Sequence, residues 1–133
     1  MSGVSVVKTL LHAATALTAV VPTTRIMAGV LPLKTERPAI SITEISAVER
    51  LTVTMGETKK MITERVQVTV EALTYPTQKS ILLLVRAALP LSRGTVNSID
   101  VDSILPGVVG PDIFDPDIAA YVQSQDFIVK FSR

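Results

Sequence analysis

ERVQVTVEALTYPTQKSILLLVRAAL, residues Glu64 to Leu89, changes its apolar period halfway along. In the first half Val66, Val68, Val70 and Ala72 point one way, and Arg65, Gln67, Thr69 and Glu71 point the other. That is the pattern of a half-buried strand rich in β-branched residues. In the second half Ile81, Leu84, Val85, Ala88 and Leu89 recur at i, i+3, i+4, i+7 and i+8, which draws one stripe along a helix. The sequence between them explains the switch. Thr74 or Tyr75 can cap a helix, and Pro76 suits its first turn, where no N–H is needed. Pro90 and then Gly94 end it. Strand and helix each have one apolar face, so they need each other and further strands.

Working outward, Val96 to Ile104 reads as a strand with Ile99 and Val101 inward. Pro106 to Pro116 reads as a long loop, and Tyr121 to Phe131 as a closing strand with Phe127, Val129 and Phe131 on one face. Upstream, Leu51, Val53 and Met55 alternate with Thr52 and Thr54. Gly56 to Lys60 then forms a hairpin loop into the Arg65 strand. Ala39 to Ile45 is a further strand with Ile40 and Ile42 together, Gly29 to Pro38 is a loop, and Arg25 to Ala28 is a short strand. Val7, Leu10, Leu11, Ala14, Leu17 and Val21 form the stripe of a first helix from about Ser5 to Val20, capped by Ser2 or Ser5 and closed by Pro22. The uncharged run Thr9 to Thr24 behind Lys8 has the look of a leader, but Thr9, His12, Thr15 and Thr18 interrupt it. It also falls short of the ~20 apolar residues a span needs. A core helix is the expectation, not a membrane span or a secreted chain.

The expected fold is therefore α+β: one domain over residues 1–133, with a mainly antiparallel sheet of five to six strands and two helices packed on one face. A hydrophobic content of 47% suffices for a core at this length, and with aromatics at 4% that core is built from Val, Ile, Leu and Ala. A net charge of +1 implies no field for nucleic acid. Charge is split, however: residues 1–94 carry eleven Lys/Arg against six Glu, and residues 95–133 carry two Lys/Arg against six Asp. The two parts can meet within one chain or between copies.

The catalytic inventory is thin. Without cysteine there is no disulfide, thiol chemistry or Cys metal site. His12 stands alone on the first helix, with no partner for acid–base or ligand work. No phosphate-binding glycine loop or nucleophile elbow occurs. Asp100 and Asp102 share a strand face, and Asp112, Asp115 and Asp117 sit in the long loop. Their spacing is not that of a calcium loop, and Asp beside Pro is a turn former. No enzyme activity, metal or cofactor is expected.

Four segments taken in order resemble the tail terminator, or tail-completion, proteins of long-tailed bacteriophages and prophages. They are ALTAVVPTTRIMAGVLP (residues 16–32), RPAISITEIS (37–46), the Glu64–Leu89 stretch and DIFDPDIAAYVQSQDFIVKFSR (112–133). The Glu64–Leu89 stretch is the strongest of these, and the resemblance spans nearly the full length. The Lys34–Arg37 and Pro106–Pro111 segments are particular to this chain. The resemblance implies an α+β subunit of a ring, a hexamer in this family, that caps the finished tail tube, ends its polymerisation and offers the surface for head joining. It implies as partners other copies of itself, the tail tube protein and a head-closure or neck protein, without membrane or specific nucleic-acid binding. It places the protein at the head-proximal end of the virion tail, and in the host cytoplasm during assembly. The alternatives are another neck component (head-closure or joining), a small oligomeric ligand-binding or catalytic domain using the Asp cluster, and a secreted small domain.

Two sets of residues are candidates for an oligomer interface. On the second helix, Leu83 points away from the stripe beside Arg86, with Leu82 at the margin, an apolar anchor with a charged rim. The acidic loop residues Asp112, Asp115 and Asp117 can meet Lys59 and Lys60 of a neighbour, as the charge split suggests.

Overall fold

The strand and helix of the Glu64–Leu89 stretch stand at the centre of the computed structural model, which describes residues 2–32, 34–51, 60–89 and 93–132. The helices are α1 (Ser2–Ala13), α2 (Thr15–Thr18) and α3 (Tyr75–Ala88). The strands are β1 (Ile26–Ala28), β2 (Ala39–Leu51), β3 (Lys60–Ala72), β4 (Gly94–Val96), β5 (Ile99–Val109), β6 (Ile113–Asp115) and β7 (Ala120–Ser132). They form one seven-stranded sheet in the order β1-β2-β3-β7-β5-β4, with β6 pairing β7. β1 runs parallel to β2, and the other pairings are antiparallel. The sheet is thus mixed, and it carries more of the chain than the expected five to six strands.

Alternation along β3 sets the core. Ile62, Glu64, Val66, Val68, Val70 and Ala72 are buried, and the residues alternating with them are half-buried. Across the ladder Val66 faces Phe127, Ile62 faces Phe131, Val68 faces Ile42 and Val70 faces Ile40. α1 adds Val4, Val7 and Leu11 to the same cluster, and α3 adds Ile81, Leu82, Val85 and Leu89. Both long helices therefore cover one face of the sheet. Each fully buried side chain of this kind stabilises the fold by about 1.5–3 kcal/mol. The opposite face carries polar cross-strand contacts. Arg65 Nη2 pairs with Asp126 Oδ2 at 2.6 Å, the hydroxyls of Thr69 and Ser124 lie 2.8 Å apart, and Arg37 Nη2 pairs with Glu71 Oε1 at 3.1 Å.

The α3 stripe is rotated from its expected position. Gln78, Ile81, Leu82 and Val85 are buried, while Leu84 and Ala88 are only partly so. Leu82 is thus a core residue, and Leu84 lies at the flank facing the α1–α2 junction. Thr74 is the cap, its Oγ1 accepting from the Thr77 N–H at 3.4 Å, and Pro76 sits in the first turn. Pro90 lies outside the described residues, and Gly94 opens β4 rather than closing the helix.

The first helix is broken at Ala14, whose backbone is extended (φ −79°, ψ 100°). In an unbroken helix Leu17 would lie ~120° round from Leu11. The break turns both fully inward. β2 is one long strand, not a short one ending at Ile45. A bulge between Glu44 and Ser46 interrupts its apolar alternation while the pairing with β3 continues to Lys60. The expected strand and hairpin loop over residues 52–59 lie outside the described residues, and Leu51 belongs to β2. Val96 to Ile104 is not one strand: Asn97 (φ 51°) and Ser98 (φ 64°) make a tight hairpin turn between β4 and β5. Most of the expected loop from Pro106 to Pro116 is strand. Pro106 and Gly107 are accommodated because the β5–β7 register skips between Pro106 and Val109. Gly107 lies flat on β7, where a Cβ would approach the Asp126 carbonyl oxygen to 3.1 Å.

One carboxyl group lies on the core face. Glu64 is buried, and its side chain fills the space against Gly3 at the start of α1. Burial raises its pKa above the ordinary carboxylate value, and the hydrogen-bonded carboxyl of Glu44 raises it further.

Candidate assembly surface

Capping by Thr74 orients the first turns of α3 so that Tyr75, Lys79, Leu83 and Arg86 face away from the core. The β5–β6 connection crosses beside them. Tyr75 Oη donates to Asp112 Oδ2 at 2.8 Å, and Lys79 Nζ donates to Asp112 Oδ1 and, at 2.7 Å, to Gln123 Oε1. Gln123 Nε2 donates in turn to the Gly110 carbonyl at 2.8 Å. The Tyr75 ring meets Tyr121 edge-on at 5.8 Å, and Phe114 meets Tyr121 at 5.0 Å. These contacts fasten the helix to the β5–β6 arm. They hold the Asp112 pKa below the ordinary carboxylate value, through the bonds from Lys79 and then Tyr75, and they raise that of Lys79.

Between helix and arm runs a shallow groove of about 220 Å³, lined by Lys79, Leu82, Leu83, Arg86, Val109 and Gln123. Leu83 is 63% exposed at its lip and Val109 44%. The structure thus brings together Leu82, Leu83 and Arg86, with Leu82 forming the floor as part of the core, and sets Asp112 nearby through Lys79.

The acidic loop and Lys60 are not brought together within the chain. Lys60 begins β3 beside Ser132 and reaches Glu49 Oε2 at 3.7 Å, whereas Asp112 and Asp115 lie by the opposite end of β7. That end is the length of a 13-residue strand away, or ~40 Å. Asp115 Oδ1 accepts the Asp117 N–H at 3.0 Å, a local turn, and Asp117 is exposed. Lys59 lies outside the described residues. Any meeting of these acids with Lys60 is between copies, along the strand axis.

Sequence reasoning missed Tyr75, Val109, Phe114 and Tyr121. One signal was present: the chain has two Tyr and three Phe, and three of those five rings gather here.

Elsewhere the polar residues serve the fold. His12 Nε2 lies 3.0 Å from the Ile26 carbonyl, and Asp102 lies 3.8 Å from Arg93 Nη2. Among the described residues no three His, Cys, Asp or Glu side chains are grouped to hold a metal, and no helix is long and apolar enough to cross a membrane.

No family model matches the sequence, and no curated protein matches it. Among solved structures, a chain from the virion of a native gene transfer agent particle is similar. Its TM-score is 0.66 at 13% identity, over 98% of this chain and 94% of that one. At that identity the likeness establishes a shared fold along essentially the whole of both chains.

Proposed function

We propose that this chain is a virion structural protein, and specifically the tail terminator of a long-tailed phage or phage-like particle. Its copies form a ring on the finished tail tube, stop its growth and present the surface to which the filled head binds. It acts without catalysis or cofactor. The observation that carries this reading is the full-length likeness to a virion chain of a gene transfer agent particle. The four sequence segments that resemble tail terminators agree with it, as does the exposed apolar groove along α3 and β5.

The groove is the proposed contact between copies. A Leu projecting beside an Arg, over an apolar floor, is a common arrangement for an interface anchor and its rim. The test is deletion of the gene from the particle-producing genome, followed by electron microscopy of the lysate. The expected result is tubes of uncontrolled length and unattached filled heads, both corrected by the gene in trans. Tails of normal length without heads would make the chain a joining protein acting after termination. Normal particles would refute a virion role in assembly.

A further inference from the structure

Two amides are sealed into the largely apolar core. Gln78 on α3 and Gln125 on β7 are each 1% exposed. Gln78 Nε2, Gln78 Oε1 and Gln125 Oε1 are buried and have no hydrogen-bond partner among the described residues. Such atoms are rare in folded proteins, because burial costs them their bonds to solvent and nothing in the chain replaces those bonds.

The fold sets both amides in the same layer, between α3 and β7. Gln125 lies in the ladder between Val68 of β3 and Val109 of β5, and Gln123 is its neighbour on the same face of β7. Gln78 lies on the sheet-facing side of α3, and Lys79 beside it reaches Gln123 Oε1 at 2.7 Å. That bond holds Gln78 over the same stretch of β7. Gln123 is otherwise engaged, by Lys79 and by the Gly110 carbonyl. The core side chains of this stretch, Val68, Val70, Ile81 and Leu82, carry no polar atom.

A direct bond between the two amides does not complete the arrangement. Whichever way the Gln125 amide is turned, it presents one group here, whereas Gln78 presents both a donor and an acceptor. One of the two Gln78 groups would stay orphaned. A water molecule carries the complement: two hydrogens for the two oxygens, and a lone pair for the Gln78 N–H. About three bonds to protein is the usual coordination of an internal water. We infer that Gln78 and Gln125 together hold an internal water between α3 and β7, a solvent-binding site built into the core. This water ties α3 to the sheet from beneath, as Asp112 ties it from the side through Tyr75 and Lys79. It sits behind the wall of the α3 groove, because Gln123 and Val109 line that groove and Gln125 neighbours both. The site belongs to the chain itself and does not depend on the tail function.

Wild-type crystals that diffract well enough to show ordered solvent test the site without any substitution. The expected result is a solvent peak within hydrogen-bond reach of both the Gln78 amide and the Gln125 amide. Amides bonded to each other or to other protein groups, with no solvent between them, would overturn the inference. Thermal unfolding of Gln78→Met, Gln125→Met and the double variant gives a second reading, methionine being close to glutamine in volume. Each single variant leaves the remaining amide with an incomplete set of partners, and the double variant leaves nothing to hydrate. The loss of melting temperature in the double variant is therefore expected to be smaller than the sum of the two single losses. A loss equal to that sum or larger would show that the two amides share no water.

Discussion

Gly3 lies directly against the buried carboxyl group of Glu64: a Cβ at position 3 would overlap Glu64 Oε2. The first turn of α1 therefore approaches β3 closely because position 3 has no side chain. Gly3→Ala is expected to destabilise the fold by about 1–3 kcal/mol, the usual cost of overpacking, although alanine is the better helix former. In a Glu64→Ala background the same change should cost clearly less, because the obstructing group is gone. Equal costs in both backgrounds, measured by denaturant unfolding, would show that the two residues do not compete for space.

The same carboxyl group makes stability depend on pH. Its pKa in the folded chain is raised, chiefly by burial, and the carboxyl of Glu44 also raises it. The native state therefore holds this proton at pH values where the unfolded chain has released it, and stability falls as pH rises from the unfolded value through the folded one. Glu64→Gln removes that titration. As pH rises from the ordinary carboxylate value through the raised folded one, the melting temperature of the wild type should fall relative to that of Glu64→Gln. A wild type that gains on the variant over this interval would reverse the sign of the assigned shift.

α3 offers a graded test of packing. Leu89 is fully buried, Leu84 is partly buried at the flank and Leu83 is 63% exposed. Leu89→Ala should cost about 2–5 kcal/mol, and Leu83→Ala about 0.5 kcal/mol or less. Leu84→Ala should fall between them. If Leu84→Ala matched Leu89→Ala in a chemical denaturation series, the helix would be rotated back to the stripe read from periodicity alone.

That rotation illustrates what the sequence made legible. Strict alternation placed Val66, Val68 and Val70 correctly, because a strand with period two has only two faces to choose between. The helix stripe was less legible, because Leu82, Leu83 and Leu84 are consecutive and periodicity cannot rank three identical side chains. The sheet then decided among them by burying Leu82. Pro106 and Gly107 concealed a strand, because they are ordinarily loop residues and only an edge position with a register skip admits them. Of the candidate surface, Leu83 and Arg86 were visible as a break in the amphipathic pattern. Val109 and Phe114 join it only through the path of β5 and β6, which local sequence does not encode. Asp112 was legible as a charge in search of a partner, but not that Lys79 and Tyr75 of the same chain supply it.

The Asp112 contact gives a spectroscopic prediction. Asp112 has a lowered pKa in the fold, so its contribution is present above the unfolded carboxylate value and is lost as pH falls through the folded one. The chain has no Trp, and both of its Tyr residues lie at this site, one of them bonded to Asp112. Tyrosine emission should therefore change in an acid titration at pH values below the ordinary carboxylate range. Asp112→Asn should lack that transition. A transition of the same amplitude in the variant would assign it to another group.

Leu83→Arg separates assembly from folding. Leu83 projects from α3 at the lip of the groove, away from the core cluster, and Arg86 and Lys79 already line that groove with positive charge. A third cation there disturbs no packed interior, so monomer stability should change by no more than about 1 kcal/mol. At an interface the consequence is different. The anchor loses its apolar contact, and an unpaired guanidinium would be desolvated against the next copy, the kind of change that removes binding outright. The expected outcome is a folded chain with a normal melting curve that fails to form rings, or, if rings form only on the tube, fails to complete tails. Leu83→Met, which conserves volume and apolarity, should assemble normally. Light scattering of the free protein, together with complementation of a deletion strain scored by tail length and head attachment, reads both variants. Rings and tails of wild-type form from Leu83→Arg would exclude the α3 groove from the contact between copies.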